Sequence, residues 1–328
     1  LPPPWSFQVR FIYNQTVMKT ALIYDPKYLN HDTGRHPENA DRIRVILDAL
    51  ESDQEVWQRL SLVSPGAASY EDVARCHDPR LVERVRNLCE RGMPFIDLDT
   101  AICPESFDAA LLAAGAATTA VDLVMTGQAD NVFALVRPPG HHATARSAMG
   151  FCLLNNAAIG ARYAQAKYFL ERVLIIDWDV HHGNGTQEIF YSDPTVFYFS
   201  THQYPYYPGS GSASERGEGK GEGYTLNVPL SAGTPARAHR EAFQEALKKI
   251  ERTFQPDLII ISAGFDSRRG DPLGGLMLED EDFAEMTKEV LDMADRYAMG
   301  RLISILEGGY NLRALGQTVK AHIAALSS

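Results

Sequence analysis

Six short runs, 21–24, 132–136, 173–177, 195–200, 258–262 and 302–306, are apolar on both of the faces a strand would present. A strand with one wet face alternates polar and apolar residues. A run that is apolar throughout fits the buried strands of a parallel sheet covered on both sides. Longer segments with helical periodicity lie between them, at 41–50, 104–125, 153–166, 235–254 and 280–298. Strands alternating with helices predict an α/β fold, with the sheet between helical layers. The glycine-rich, charged stretch 209–223, GSGSASERGEGKGEG, reads as a loop. No repeat and no linker divides the chain. The expectation is one domain over 18–328, preceded by an N-terminal extension, 1–17, that need not be native.

The extension lacks the apolar core of a secretion signal, and no run of 18 apolar residues suggests a membrane span. With a net charge of −11, the chain has no general attraction for nucleic acid or anionic membrane. A basic partner, such as a lysine-rich peptide, remains compatible. Cys76, Cys89, Cys103 and Cys152 form no CxxC pair, so they read as free thiols in a reducing cytoplasm.

Ligands of an open parallel sheet bind beyond the carboxyl ends of its strands, and four apolar runs end there in reactive side chains. One leads into Arg137-Pro-Pro-Gly-His141-His142. The second leads into Asp179, His181, His182, Gly183 and Asn184. The third leads into Asp266, and the fourth into Glu307-Gly-Gly-Tyr310. Asp179 and His181, two residues apart on extended chain, point the same way and can grip one ion. An isolated DxH is more often a structural network; the adjoining HHGNG and the other strand ends favour the metal. Two adjacent histidines can divide labour, one neutral as base and one charged. Tyr310 is either an oxyanion donor or a packing residue. Asp266 by itself reads more often as a cap or turn former than as a ligand.

The segments HPENADR, RPPGHHA, GFCLLNNAAIGA, IIDWDVHHGNGTQEIF, GFDSRRGDPLGG and LEGGYNL resemble, in order and spacing, the zinc-dependent histone deacetylase family. The match spans about 20–326. HHGNGTQ and EGGY resemble its class II branch and the bacterial histone deacetylase-like amidohydrolases. The resemblance implies the arginase–deacetylase fold, with an eight-stranded parallel sheet. It implies zinc on Asp179, His181 and Asp266. It implies His141 and His142 as acid–base pair, with Asp177 behind His141, Asn184 behind His142 where class I has aspartate, and Tyr310 polarising the carbonyl. Gly150, Phe151 and Tyr207 match the acyl-lysine tunnel, Leu273 its mouth and Asp99, more loosely, its rim. Structural K+ or Na+ is implied at Asp177, Asp179, His181, Ser200 and Thr201.

The implied reaction is hydrolysis of the amide of N6-acetyl-lysine in a protein or peptide, releasing acetate. The alternative is an acetylpolyamine or another small acetylated amine, against which neutral Leu273 argues, since polyamine-selective relatives carry an acid there. A dinuclear ureohydrolase is disfavoured, because Gly183 and Arg268 stand where its second metal needs carboxylates. A remoter alternative is a weakly active acetyl-lysine-binding scaffold. Oligomeric state is not legible.

Overall fold

The computed structural model describes residues 20–328; the expected extension lies outside them. Its strands are β1 (Thr20–Ile23), β2 (Leu60–Val63), β3 (Asn131–Ala134), β4 (Val173–Asp177), β5 (Val196–Gln203), β6 (Thr225–Leu230), β7 (Leu258–Ala263) and β8 (Leu302–Leu306). They form one eight-stranded sheet in the order β2-β1-β3-β8-β7-β4-β5-β6. Every pairing is parallel. The helices are α1 (Asp41–Glu51), α2 (Gln54–Trp57), α3 (Tyr70–Ala74), α4 (Pro79–Glu90), α5 (Ser106–Met125), α6 (Asn156–Tyr168), α7 (Asn184–Phe190), α8 (Ala236–Glu251), α9 (Asp280–Tyr297) and α10 (Leu315–Leu326).

Alternation along the strands produces two cores. Val173 and Ile175 of β4, with Leu258 and Ile260 of β7, join the apolar faces of α4, α5 and α6. Leu174, Ile176, Ile259 and Ile261 join α1, α8, α9 and α10 on the other side. All eight side chains are fully buried, and each contributes about 1.5–3 kcal/mol relative to exposure. By length and composition α5 could cross a membrane, but 67% of its apolar window is buried inside the protein, and it serves as a core helix.

The six expected strands are present, with ends shifted by up to three residues. The sequence reading missed β2 and β6, which form the two edges of the sheet. Edge strands are partly exposed, so the continuous apolar signal fails there: Ser61 and Leu62 are exposed, and β6 carries Pro229. It also missed α4, which Asp78 caps by accepting from Arg80 N–H, and α10, which packs on α1 and α9.

The order of strands decides where the site lies. Chain order runs outward to β6 and then returns, so that β7 and β8 fill the gap between β3 and β4. The four polar strand ends recognised in the sequence therefore belong to four adjacent central strands.

Candidate active site

β4 ends at Asp177, and the chain does not stay extended as expected but bends at 179–181, where His181 N–H donates to Asp179 Oδ1 at 2.9 Å and brings the two side chains together. Asp266 reaches them from the end of β7. One ligand atom from each of Asp179, His181 and Asp266 lies within 4.8 Å of the others. His181 Nδ1 is 3.1 Å from Asp179 Oδ1 and 3.2 Å from Asp266 Oδ2. Backbone donors fix the remaining oxygens: Val180 N–H donates to Asp266 Oδ1 at 2.8 Å, and Gly308 N–H to Asp179 Oδ2 at 2.8 Å. Gly308 is required by this approach, since a Cβ there would stand 2.3 Å from Asp266 Oδ2.

Asp266 Oδ2 is buried and makes no hydrogen bond. Burial, then the charge of Asp179, push its carboxyl up to about 7, against the pull of His181. Burial alone would depress His181, but its close contacts with the two aspartates hold it well above the ordinary histidine range. An orphaned carboxylate oxygen among anionic neighbours calls for a cation. Two carboxylates and one imidazole nitrogen suit zinc or iron(II). Three protein ligands leave a coordination position for water or substrate, as catalytic sites do. His181 retains 11% side-chain exposure, so the cluster opens on its side.

The tandem histidines follow β3 on a loop pinned by the asparagines that begin α6. Asn155 caps that helix by accepting from Ala158 N–H, and its Nδ2 donates to Ala143 O. Asn156 Nδ2 donates to Pro138 O. The two rings lie 4.0 Å apart between centroids, with different partners. His141 Nδ1 is 3.0 Å from Asp177 Oδ2, which also accepts from Tyr198 Oη at 3.1 Å. Burial would lower His141, yet Asp179 and Asp177 together lift it to about 10. His142 Nδ1 is 2.8 Å from Asn184 Oδ1, a neutral acceptor. Burial, then the charges of His141 and His181, hold His142 well below the ordinary value. One ring is thus cationic. The other is neutral, with its proton on Nδ1 and a lone pair on Nε2.

Tyr310 is buried and its ring meets Phe151 edge-on at 5.8 Å. Burial holds its hydroxyl well above the ordinary phenol value, so it remains a donor. Asp271 fixes its backbone by accepting from Tyr310 N–H at 2.7 Å and Asn311 N–H at 3.0 Å. From the other side, Arg42 donates to Gly309 O at 2.7 Å and Glu307 O at 2.5 Å, with its guanidinium 4.9 Å from the tyrosine ring centroid.

A cavity of about 220 Å³ leads to this cluster, lined by Asp99, His142, Gly150, Phe151, His181, Tyr206, Tyr207, Leu273 and Tyr310. Gly150, at φ +57°, brings the backbone against the His142 ring, where a Cβ would stand 2.5 Å from Cδ2. Tyr207 meets His142 edge-on at 5.1 Å, and Tyr206 stacks on His181 at 5.5 Å. Asp99 sits at the mouth, its carbonyl held by His36 Nε2 at 3.0 Å.

The expected metal, acid–base and tunnel residues thus assemble in one place. Asp177 pairs with Ser200 in the sheet, on the same face of it. The Thr201 side chain is on the opposite face, 3.1 Å from His239 Nε2 of α8, so only its backbone can serve a cation beside Asp177. Gly183 lies against Asp177, and Arg268 turns away to Asp280 and Glu279. Neither offers a carboxylate for a second metal in the first cluster. Sequence reasoning missed Tyr206, Glu38 and Arg42, and gave no role to Arg137 and Glu307, which it saw only as parts of strand-end motifs. Glu38 and Arg42 carried a signal, the i,i+4 charge pair of HPENADR. Glu307 carried one too, a lone acid ending an apolar strand. Glu307 also approaches His141 and Cys152 within 4.8 Å, but both its oxygens already accept hydrogen bonds from Gly140, His141 and Ser262. That group is a hydrogen-bonded anchor, with no free ligand oxygen.

Fold and site together define an amide hydrolase of the arginase–deacetylase class. The histone deacetylase domain matches residues 36–326. A probable deacetylase of Archaeoglobus fulgidus is 41% identical, over 94% of this chain and 87% of its own length. The mouse polyamine deacetylase HDAC10 is 38% identical, over 94% of this chain and 46% of its own. Among solved structures, the HD domain of HDA15 superposes with a TM-score of 0.90 at 40% identity, over 95% of this chain and 88% of that one. The chain belongs to the histone deacetylase family.

Proposed function

We propose that the chain is a zinc-dependent deacetylase acting on N6-acetyl-lysine in proteins or peptides and releasing acetate. The observation that carries this reading is the aromatic cavity lined by His181, a neutral imidazole and a phenol, with Asp179 and Asp266 buried against His181. Phe151 and Tyr207 would flank an apolar lysine stem, and Asp99 would hold the backbone outside. The Leu273 side chain at the lining is neutral and gives no specific grip on a second ammonium group.

Zinc on Asp179, His181 and Asp266 would polarise the amide carbonyl and bring the pKa of a bound water towards 7. His142 Nε2, free because Nδ1 is committed to Asn184, takes the proton as water attacks. His141, held as a cation by Asp177, offsets the negative charge that develops. Tyr310 Oη donates to the carbonyl oxygen as it becomes an oxyanion. The amine is a poor leaving group until protonated, so the proton carried by the histidine pair passes to it. A structural K+ or Na+ beside Asp177 and Ser200 belongs to the same reading, as does a reducing, cytoplasmic compartment, supported by four free cysteines.

A second reading, an acetylated polyamine, is favoured by the acids at the mouth. Asp97 raises the carboxyl of Asp99 beyond what burial alone does, so the rim is rich in negative charge. A hydrolysis panel on zinc-loaded protein decides between them. Acetyl-lysine peptides should be turned over faster than acetylpolyamines, and the opposite ranking sinks the peptide reading. Asp266→Asn should lower metal affinity and abolish turnover; full metal content with full activity would refute the ligand set.

A further inference from the structure

We infer that Glu307 is a positioning residue for the reaction: its carboxylate holds the backbone that carries the tandem histidines. The inference rests on the deacetylase reading of the site. Glu307 follows β8 directly and is fully buried. Its backbone is clamped, with N–H donating to Ala263 O at 3.0 Å and carbonyl accepting from Arg42. Its side chain therefore leaves a fixed point.

From there it crosses to the loop after β3. Oε2 accepts from Gly140 N–H at 2.6 Å and His141 N–H at 3.2 Å. Oε1 accepts from Ser262 Oγ of β7 at 3.0 Å. One carboxylate thus ties three adjacent strand ends together at the residue whose ring is the cationic member of the pair. Gly140 cannot be held by a side chain of its own. Its close packing on Asn156, where a Cβ would meet the backbone nitrogen at 2.5 Å, leaves no room for one. Without the carboxylate, two buried N–H groups would lack partners and the loop would have to move to find others. A displacement of about 1 Å at a reacting group costs on the order of 100-fold in rate.

Reach and charge can be separated. Glu307→Gln keeps the reach: its oxygen can accept from both N–H groups while its nitrogen donates to Ser262 Oγ. Glu307→Asp keeps the charge but withdraws the carboxylate by about 1.5 Å, one carbon–carbon bond. The assay uses zinc-loaded enzyme and whichever acetylated amine the wild type hydrolyses best. Glu307→Asp should lose roughly 10- to 100-fold in kcat, with KM and zinc affinity unchanged, and Glu307→Gln should retain most of the activity. An Asp variant as active as wild type, or a Gln variant as impaired as Asp, overturns the inference. If the wild type hydrolyses no acetylated amine, the proposed function falls by itself. Amide exchange at Gly140 and His141, faster in the Asp variant and unchanged in the Gln variant, then still decides the role of Glu307.

Discussion

Glu38→Gln tests whether the buried ion cluster beneath the Tyr310 loop stabilises the protein as its geometry implies. Arg42 and Arg137 are both fully buried. Glu38 Oε1 meets Arg137 Nε at 2.5 Å and Arg42 Nη1 at 3.2 Å, while Oε2 meets Arg137 Nη2 at 2.8 Å. The carboxylate is the anion directly bonded to both guanidiniums. Glutamine preserves volume and one acceptor, but it removes the charge and turns an NH2 donor towards other donors. Breaking a buried pair from one side costs about 3–5 kcal/mol, because the remaining charge stays uncompensated. For 328 residues the unfolding entropy is about 0.7 kcal/mol per kelvin, so Tm should fall by roughly 4–7 °C. Burial would raise the Glu38 carboxyl, yet Arg137 and then His31 hold it well below its ordinary 4.5. A depressed folded pKa contributes stability that is complete above the unfolded value and lost as pH falls through the folded one. The wild type should therefore exceed the variant by the full margin at pH 7, with the gap narrowing below about pH 4.5. The assay is calorimetry of both proteins at pH 7 and pH 4. A Tm loss under 1 °C at pH 7, or a gap that widens in acid, would refute the reasoning.

Two further outcomes follow from other parts of the structure. Tyr310→Phe keeps the ring against Phe151 and removes only the donor, so kcat should fall by about 10²–10³-fold with little change in KM; a loss expressed mainly in KM would make Tyr310 a packing residue. His322 is fully buried between Thr287 Oγ1 at 2.6 Å and Ser304 Oγ at 2.8 Å, and burial pushes it down to about 3. The unfolded chain therefore binds a proton there that the folded chain does not, and stability falls as pH drops from 6.5 towards 3. His322→Gln should reduce the slope of unfolding free energy against pH by about 1.4 kcal/mol per unit in that window, measured by denaturant titration at pH 6 and pH 4.5; an unchanged slope would show that His322 is charged in the native state.

The sheet was legible where both faces of a strand are covered. Burial on two sides leaves a continuous apolar run, and β4, β7 and β8 show it to within a residue. It was not legible at β2 and β6, whose partly exposed positions break that run although their backbone pairing is as regular as in the centre. The site followed the same logic. Asp179 with His181, and His141 with His142, are close in sequence and visible as pairs. Asp266 joins them only because β7 lies beside β4, a neighbour relation no local pattern contains, and its assignment needed the family resemblance. Glu38, Arg137 and Arg42 are harder still. Charged residues in sequence ordinarily read as surface, and their burial shows only when two distant segments, 38–42 and the one carrying Arg137, are brought together.

The charge balance of the assembled site accounts for most of its design. Asp177, Asp179, Asp266 and Glu307 are all buried at the ends of three neighbouring strands. Each is treated differently by its surroundings. Asp177 is paired with His141, and Glu307 accepts from two backbone N–H groups and a serine, yet burial leaves both carboxyls raised, Glu307 to about 7. Asp179 is lowered, against its burial, by His141 and His181, and Asp266 is left raised, with one oxygen lacking a hydrogen-bond partner. Asp179 is thus the one acid of the four held below its ordinary value, and Asp266 the one with an oxygen that no hydrogen bond reaches. A carboxylate left in that condition costs several kcal/mol unless a cation joins it. Its neighbour His181 lines the cavity, so the place where the fold is least satisfied electrostatically adjoins the place that substrate can reach. That coincidence is what an entering metal ion would exploit, and it is why the third ligand, the residue least visible in the sequence, carries the most weight in the structure.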